Sequence, residues 1–219
     1  MSAPARKRLL EALESKDWPF ALRSIGEEVS RGLISQAVAA LCSKESETRW
    51  RAVEAVGYLV CRFAQENPEA AKDVIRRLLW SLNEESGSIG WGAPEALAEI
   101  LARDRESAKE FLPIFASFLK ARELERMPPT IAQGFLWGVF RLGELHSDVL
   151  GSPEVIEGLK ASLGSPHPST RGLAILALKR LGVLQSLPGL ESLLNDQEVF
   201  TFMEEGRLHQ TSISKAARP

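Results

Sequence analysis

The chain has 219 residues, of which 44% are hydrophobic and 26% charged, with a formal net charge of −2 and a pI near 6.0. That length can bury a substantial core as one domain or one short repeat array. The near-neutral balance supplies no overall positive field toward phosphates, which argues against nucleic acid and anionic membrane as partners.

In chain order, residues 4–15 and 18–31 are expected as two helices that cap the N-terminal end of a helical stack. The opening "MSAPARKRLLEALESKDW" is basic but has no apolar run behind it, so it does not read as a secretory signal. No uncharged apolar run reaches the roughly 18–20 residues that span a bilayer. Helix pairs are then expected near 32–65, 68–102, 105–145 and 152–182. Asn67-Pro68-Glu69 and Ser152-Pro153-Glu154 each offer a capping side chain, a proline at the first helical position and an early acid. Cys42 and Cys61 fall inside helical patterns and read as buried thiols in a reducing compartment, so the expected location is the cytoplasm. At 198–213, "EVFTFMEEGRLHQTSI" alternates and then turns at Glu204-Glu205-Gly206-Arg207, which predicts a β-hairpin. A lone hairpin is marginal, so Phe200 and Phe202 should anchor it on the last helix pair. The expected organisation is an N-terminal helical cap at 1–31, repeats at 32–195, and a hairpin and tail at 196–219.

The chain also resembles itself. "TRWRAVEAVGYL" (48–59) lies over "IGWGAPEALAEI" (89–100) at an offset of 41, matching Trp50 to Trp91, Ala52 to Ala93, Glu54 to Glu95 and Ala55 to Ala96. A further offset of 42 places Ala96 on Gly138, and 39 more carry Leu142-Gly143 onto Leu181-Gly182. Two-helix repeats of the HEAT and armadillo kind have periods of roughly 40–47 residues. The copies "SETRWRAVEAVG" and "HPSTRGLAILALKRLG" share a polar start, an arginine (Arg49, Arg171) and spaced alanines. On these residues the chain resembles the HEAT-like repeat superfamily over about 32–195, and 76–101 resembles a group of bacterial HEAT-like proteins with no assigned activity. The resemblance implies an all-α fold, a right-handed α-α solenoid of about four HEAT-like helix pairs with a small C-terminal β-hairpin. It also implies a binding role, since such arrays are mostly interaction platforms.

Enzymes on this fold can be tested against the residues. The deoxyhypusine hydroxylase type needs repeated His-Glu pairs, and none of His146, His167 and His209 is followed by Glu. The alkylpurine DNA glycosylase type uses tryptophans and a carboxylate in a basic groove; the basic balance is missing here. Bilin-lyase-type proteins leave too little local signature to decide. There is no phosphate loop, dinucleotide fingerprint, CxxC or HExxH, and no catalytic residue, metal site or cofactor is expected.

The candidate site comes from helical arithmetic. Along 48–63, Ala52, Ala55, Val56, Leu59 and Phe63 form the core side, while Trp50, Glu54, Gly57 and Cys61 fall opposite. Equivalent positions are Trp91, Glu95, Ala98 and Ala102, then Gln133, Trp137, Phe140 and Glu144. Second helices usually line the concave face of a solenoid, so this predicts a groove of stacked Trp50/Glu54, Trp91/Glu95 and Trp137/Glu144. Pro94 either starts a helix or kinks one that begins near Ser88, and the kink is favoured because neighbouring repeats continue through that position. A kink would leave the Gly90 carbonyl and bare backbone beside Trp91, with Asn83, Glu84, Glu85 and Ser86 at the rim.

Tryptophan faces attract cations at about 0.5–2 kcal/mol each, and the carboxylates add attraction, so the expected guest is a cationic or amphipathic segment of another protein or peptide. The alternative is an enzyme or carrier binding a cationic small molecule or modified base in the same groove, with Glu95 at its centre. The tryptophans could equally pack between repeats, and the glutamates could be solvated charges. Trp18 and Trp80 read as core, Arg76-Arg77 as a solvated edge, and His146 as an ordinary helix-end histidine. Oligomeric state has no signature in the sequence.

Overall fold

The computed structural model describes residues 3–82, 91–187 and 190–218. They divide into two compact units, Met1–Ser107 and Ala108–Pro219. Among the described residues the architecture is all-α apart from one C-terminal hairpin, as the periodicity requires. Among the described residues, no helix is long and apolar enough to cross a membrane.

The first unit contains α1 (Ala3–Glu14), α2 (Trp18–Ile25), α3 (Arg31–Ala40), α4 (Ser46–Ala64), α5 (Pro68–Ser81) and α6 (Ala93–Arg103). Leu9, Leu13, Ile34, Leu41, Leu59 and Ile75 are fully buried in it. The N-terminal helices are fastened to α4 by Arg51, whose Nη1 donates to the Leu13 carbonyl (2.5 Å) and the Ser15 carbonyl (3.3 Å) at the end of α1. These are orphan carbonyls of a helix terminus, so one side chain both caps α1 and docks it. Asn67 and Ser152 begin their helices as expected, but neither side chain makes a capping bond; the prolines at the first turn set both boundaries. Ser30 does cap, accepting from the Leu33 amide at 3.3 Å.

Two expectations about burial are corrected. Cys42 lies in the turn after α3 and is exposed, and Cys61 is half-buried; both are free thiols. Trp80 is 72% exposed instead of core. The buried stripe of α5 runs through Ala71, Ile75 and Leu78, and two further residues rotate Trp80 roughly 200° away from it.

The second unit takes α7 (Arg105–Ser117) from Ala108 onward, followed by α8 (Ala121–Arg126), α9 (Pro129–Leu142), α10 (Ser147–Leu150), α11 (Pro153–Ser162), α12 (Pro168–Arg180) and α13 (Leu190–Leu194). The stretch expected as one helix pair at 105–145 is therefore three helices. Pro128-Pro129 ends α8, because a residue before proline avoids helical backbone, and then starts α9. Phe135 stacks on Phe118 at 5.0 Å and tilts against Phe115 at 4.9 Å to fill this core.

The chain closes with antiparallel strands β1 (Val199–Glu204) and β2 (Arg207–Ser212) and a final turn of helix, α14 (Ile213–Ala216). Glu205 (φ 48°) and Gly206 (φ 73°) form the two-residue turn, the positive-φ geometry that matches strand twist in tight hairpins. Phe200 and Phe202 are buried as expected, Phe200 against the bare backbone of Gly172 on α12 and Phe202 edge-on to Phe140 of α9 at 5.7 Å. A β-carbon at Gly172 would collide with the Phe200 ring, so the hairpin seats only because that position is glycine.

Candidate functional site

In the first unit, the stripe Trp50–Glu54–Gly57–Cys61 faces a neighbouring helix. A β-carbon on Gly57 would come within 2.7 Å of Glu99 Cβ on α6, and Cys61 Sγ lies 3.7 Å from the Ile100 carbonyl. Burial pushes the Cys61 thiol up to about 12, with nearby Asp104 adding to the effect, so it is an inert packing group. Trp50, on the same stripe, is 8% exposed. The expected open groove is therefore corrected here: the side opposite the first helix of a pair is where the next repeat packs.

α6 is buried along most of its length, including two carboxylates one turn apart. Glu99 is 3% exposed and receives Arg103 Nε at 2.9 Å. Glu95 is 7% exposed, yet its Oε2 has no hydrogen-bond partner. Burial raises the Glu95 carboxyl above its ordinary value, against smaller opposing pulls from its own backbone N–H and from Arg49. Arg49 acts from beyond ion-pair distance; its guanidinium sits 5.7 Å from the Trp50 ring centroid. Buried carboxylates normally find partners, so a lone oxygen on Glu95 is an exception that requires an account. Just ahead, Trp91 is 45% exposed. Glu54 is half-buried on α4.

The kinked helix is also corrected. α6 starts at Ala93, with Pro94 in its first turn and Gly92 at the N-cap in the left-handed conformation (φ 73°). Gly92 allows this reversal at little steric penalty, and the proline then supplies helical φ where no amide hydrogen is needed. Asn83, Glu84, Glu85, Ser86, Ser88 and Gly90 lie outside the described residues.

In the second unit the equivalent stripe is engaged throughout. Gln133 Nε2 donates to Thr170 Oγ1 at 3.1 Å, and Trp137 Nε1 donates to the Met203 carbonyl at 2.8 Å. Trp137 is 3% exposed, so it packs beneath the hairpin where an open groove had been expected. Arg180 lies over Phe140 at 4.4 Å and bridges Glu144 (2.9 Å) to Glu204 (2.8 Å), beside a depression of about 330 Å³. The aromatic–carboxylate trap expected for a cationic guest exists here, with the chain's own guanidinium inside it. Arg171 donates to Asp196 Oδ2 (2.8 Å), to the Ser165 carbonyl (2.7 Å) and to Glu198.

Sequence reasoning missed Arg51, Arg180 and Asp196. Arg180 could have been flagged as the cation one helix away from Glu144, but its second partner, Glu204, depends on the hairpin seating. A second depression, of about 500 Å³, lies between α8, the start of α9 and the α11–α12 turn, with Glu125 and His167 at its wall. Among the described residues, no three His, Cys, Asp or Glu are placed to hold a metal ion.

These elements define a helical-repeat protein, and known structures agree. The chain is similar to a designed armadillo repeat protein, with 18% identity, 95% of each chain covered and a TM-score of 0.53. It is also similar to an engineered protein, with 16% identity, 99% of this chain and 94% of that one covered, and a TM-score of 0.50. At such identities the likeness is one of fold, the expected α-α repeat class. No family model matches the chain. An uncharacterised protein of Archaeoglobus fulgidus is 30% identical over 149 residues, spanning 68% of this chain and 74% of its own length. The chain belongs to the same family as that archaeal protein.

Proposed function

We propose that the protein is a binding module that takes a cationic segment of another polypeptide at the Trp91–Glu95 end of α6. The observation that carries this reading is the buried Glu95 carboxyl with an unpartnered oxygen. What that oxygen lacks is a hydrogen-bond donor. A lysine or arginine side chain supplies one, and its charge would also hold the carboxylate ionised where burial alone opposes ionisation. Trp91, exposed beside the start of α6, gives the guest an aromatic face, worth about 0.5–2 kcal/mol for a cation depending on how dry the contact is. Arg49, drawn toward the Trp50 ring on α4, is a cation that already acts on Glu95, so a cationic guest has to outcompete it there. Trp137 and Glu144 are no part of it, being committed to Met203 and Arg180. A repeat scaffold suits such a role, since stacked helices present side chains at regular spacing.

Native mass spectrometry of the chain purified from its own host, wild type beside Trp91→Ala/Glu95→Gln, tests the reading. A bound polypeptide carried only by the wild type is the expected outcome. A bound small molecule lost in the double variant would replace this reading with the carrier or enzyme alternative. A polypeptide retained by the folded double variant would move the binding surface elsewhere.

A further inference from the structure

The β1–β2 hairpin has an edge whose backbone no described residue uses. With a two-residue turn at Glu205-Gly206, Glu204 and Arg207 close the ladder as a hydrogen-bonded pair, and every second pair follows suit. Those pairs are Phe202↔His209 and Phe200↔Thr211. The alternation continues past the strands, where the Ile213 amide donates to the Glu198 carbonyl at 3.0 Å. Residues between these pairs turn their N–H and C=O outward: Val199, Thr201 and Met203 on β1, Leu208, Gln210 and Ser212 on β2. The outward Met203 carbonyl is taken by Trp137. No group among the described residues takes those of Leu208 and Gln210, and both residues are exposed, Leu208 at 42%.

An open strand edge is a template for another strand. Its charges indicate which kind. Arg207 begins β2 and Lys215 follows its end; both are exposed, and neither is in an ion pair among the described residues. The nearest acid of the ladder, Glu204, already holds Arg180. An antiparallel second copy of β2 would bring the Arg207 end of one strand toward the Lys215 end of the other, setting like charges together.

We propose that the free edge of β2 at Leu208–Gln210 docks an extended acidic segment of another polypeptide as a third strand, with Arg207 and Lys215 attracting its carboxylates. Exposed Leu208 and Val199, on the face away from the helices, would meet apolar residues alternating with those acids.

The test uses the full chain and a capped hexapeptide of alternating glutamate and valine, with the lysine–valine peptide as control. In amide-resolved NMR, binding should shift the Leu208 and Gln210 amides and slow their hydrogen exchange about tenfold or more, while Phe200 and Phe202 stay unchanged. Gln210→Pro removes an outward N–H without touching the ladder and should weaken binding at least about tenfold. Should that variant fold poorly, Arg207→Glu/Lys215→Glu should instead turn preference toward the lysine–valine peptide. Trp91→Ala/Glu95→Gln should bind the acidic peptide as the wild type does, which separates this edge from the α6 site. Equal binding of both peptides, shifts that miss Leu208 and Gln210, or undiminished binding by a folded Gln210→Pro would overturn the proposal. So would self-association abolished by Gln210→Pro, since the occupant would then be a second copy.

Discussion

The two units solve the same local problem differently. Each carries an arginine at the same repeat position, Arg49 in the first and Arg171 in the second. Each also carries a tryptophan on its second-helix stripe, Trp50 and Trp137. In the second unit the C-terminal segment supplies what these groups need: Asp196 and Glu198 for Arg171, and the Met203 carbonyl for Trp137. In the first unit α6 covers the stripe, Arg49 settles over the Trp50 ring, and Glu95 keeps a buried oxygen without a donor. A non-repeating hairpin thus completes one copy of the pattern, while the other copy keeps one buried carboxylate oxygen, Glu95 Oε2, without a donor. A buried oxygen without a donor destabilises a fold, and the proposed cationic partner rests on that observation.

The largest effect should come from removing the tryptophan that the hairpin completes. Trp137→Ala should lower the unfolding free energy of the second unit by about 3–5 kcal/mol, as expected for a buried aromatic. Trp137→Phe, which keeps a six-membered ring but loses the N–H to Met203 and part of the packed surface, should cost about 1–3 kcal/mol. Urea unfolding with hydrogen exchange at the β1 amides would read both. If the β1 amides exchange no faster in Trp137→Ala, Phe200, Phe202 and the Arg180–Glu204 ion pair hold the hairpin without Trp137 and the contrast between the units weakens.

Much of this arrangement was legible in the sequence, and the largest failure concerned contacts between helices that a local pattern does not encode. Helical period, helix-starting prolines and the Glu-Glu-Gly-Arg turn are local signals, so the helical character, the helix starts at Pro68 and Pro153, the hairpin and its Phe200/Phe202 anchor could be read directly, whereas the three helices within 105–145 could not. The orientation of the stripe could not. Periodicity divides Trp50, Glu54 and Gly57 from Ala52, Ala55 and Leu59, but it does not say whether the second side meets solvent or the next helix. Gly57 was the missed clue, because a residue without a side chain in a helix interior marks close approach by a neighbour. Pro94 misled in the opposite sense: the match of Trp91 to Trp50 argued for a continuous helix, while Gly92 offered the left-handed cap that permits a fresh start. Glu95 was expected as a carboxylate lining an open groove, and its burial was not foreseen. The rim residues Asn83, Glu84, Glu85 and Gly90 remain expectations from the sequence.

An intermediate effect separates the two packing solutions. Gly172→Ala drives a methyl group into the Phe200 ring, and Gly57→Ala drives one to 2.7 Å from Glu99 Cβ. Overpacking of this kind costs about 1–3 kcal/mol. The consequences should differ in place: Gly172→Ala should loosen the hairpin and speed exchange at the β1 amides, whereas Gly57→Ala should separate α4 from α6 and leave β1 untouched. Gly57→Ala should also expose Glu95 to water and return its carboxyl toward ordinary acidity, which 13C NMR of the side chain would follow. Equal loosening of both sites by either variant would show that the units do not unfold separately.

The smallest effect is the most informative, because its sign distinguishes a binding group from a structural cap. Glu95 occupies the third position of α6, where a carboxylate normally favours the helix through the N-terminal dipole. If that were its whole role, Glu95→Gln would destabilise the chain at neutral pH. Burial instead raises its pKa above the ordinary 4.5. A carboxyl raised in the folded state holds its proton more tightly there than in the unfolded chain. Its contribution to stability is therefore complete below about 4.5 and is lost as pH rises through the folded value. Glutamine never ionises, so Glu95→Gln should be close to wild type near pH 4 and more stable by on the order of 1 kcal/mol toward pH 8. Thermal unfolding of the two proteins across that range would show whether the gap opens in this direction. A variant that gains stability with rising pH while losing its bound partner would mean that Glu95 is kept at the expense of the fold, for what it binds. A variant that loses stability at neutral pH would make Glu95 a helix cap, and the unpartnered oxygen would then need a donor from the chain itself.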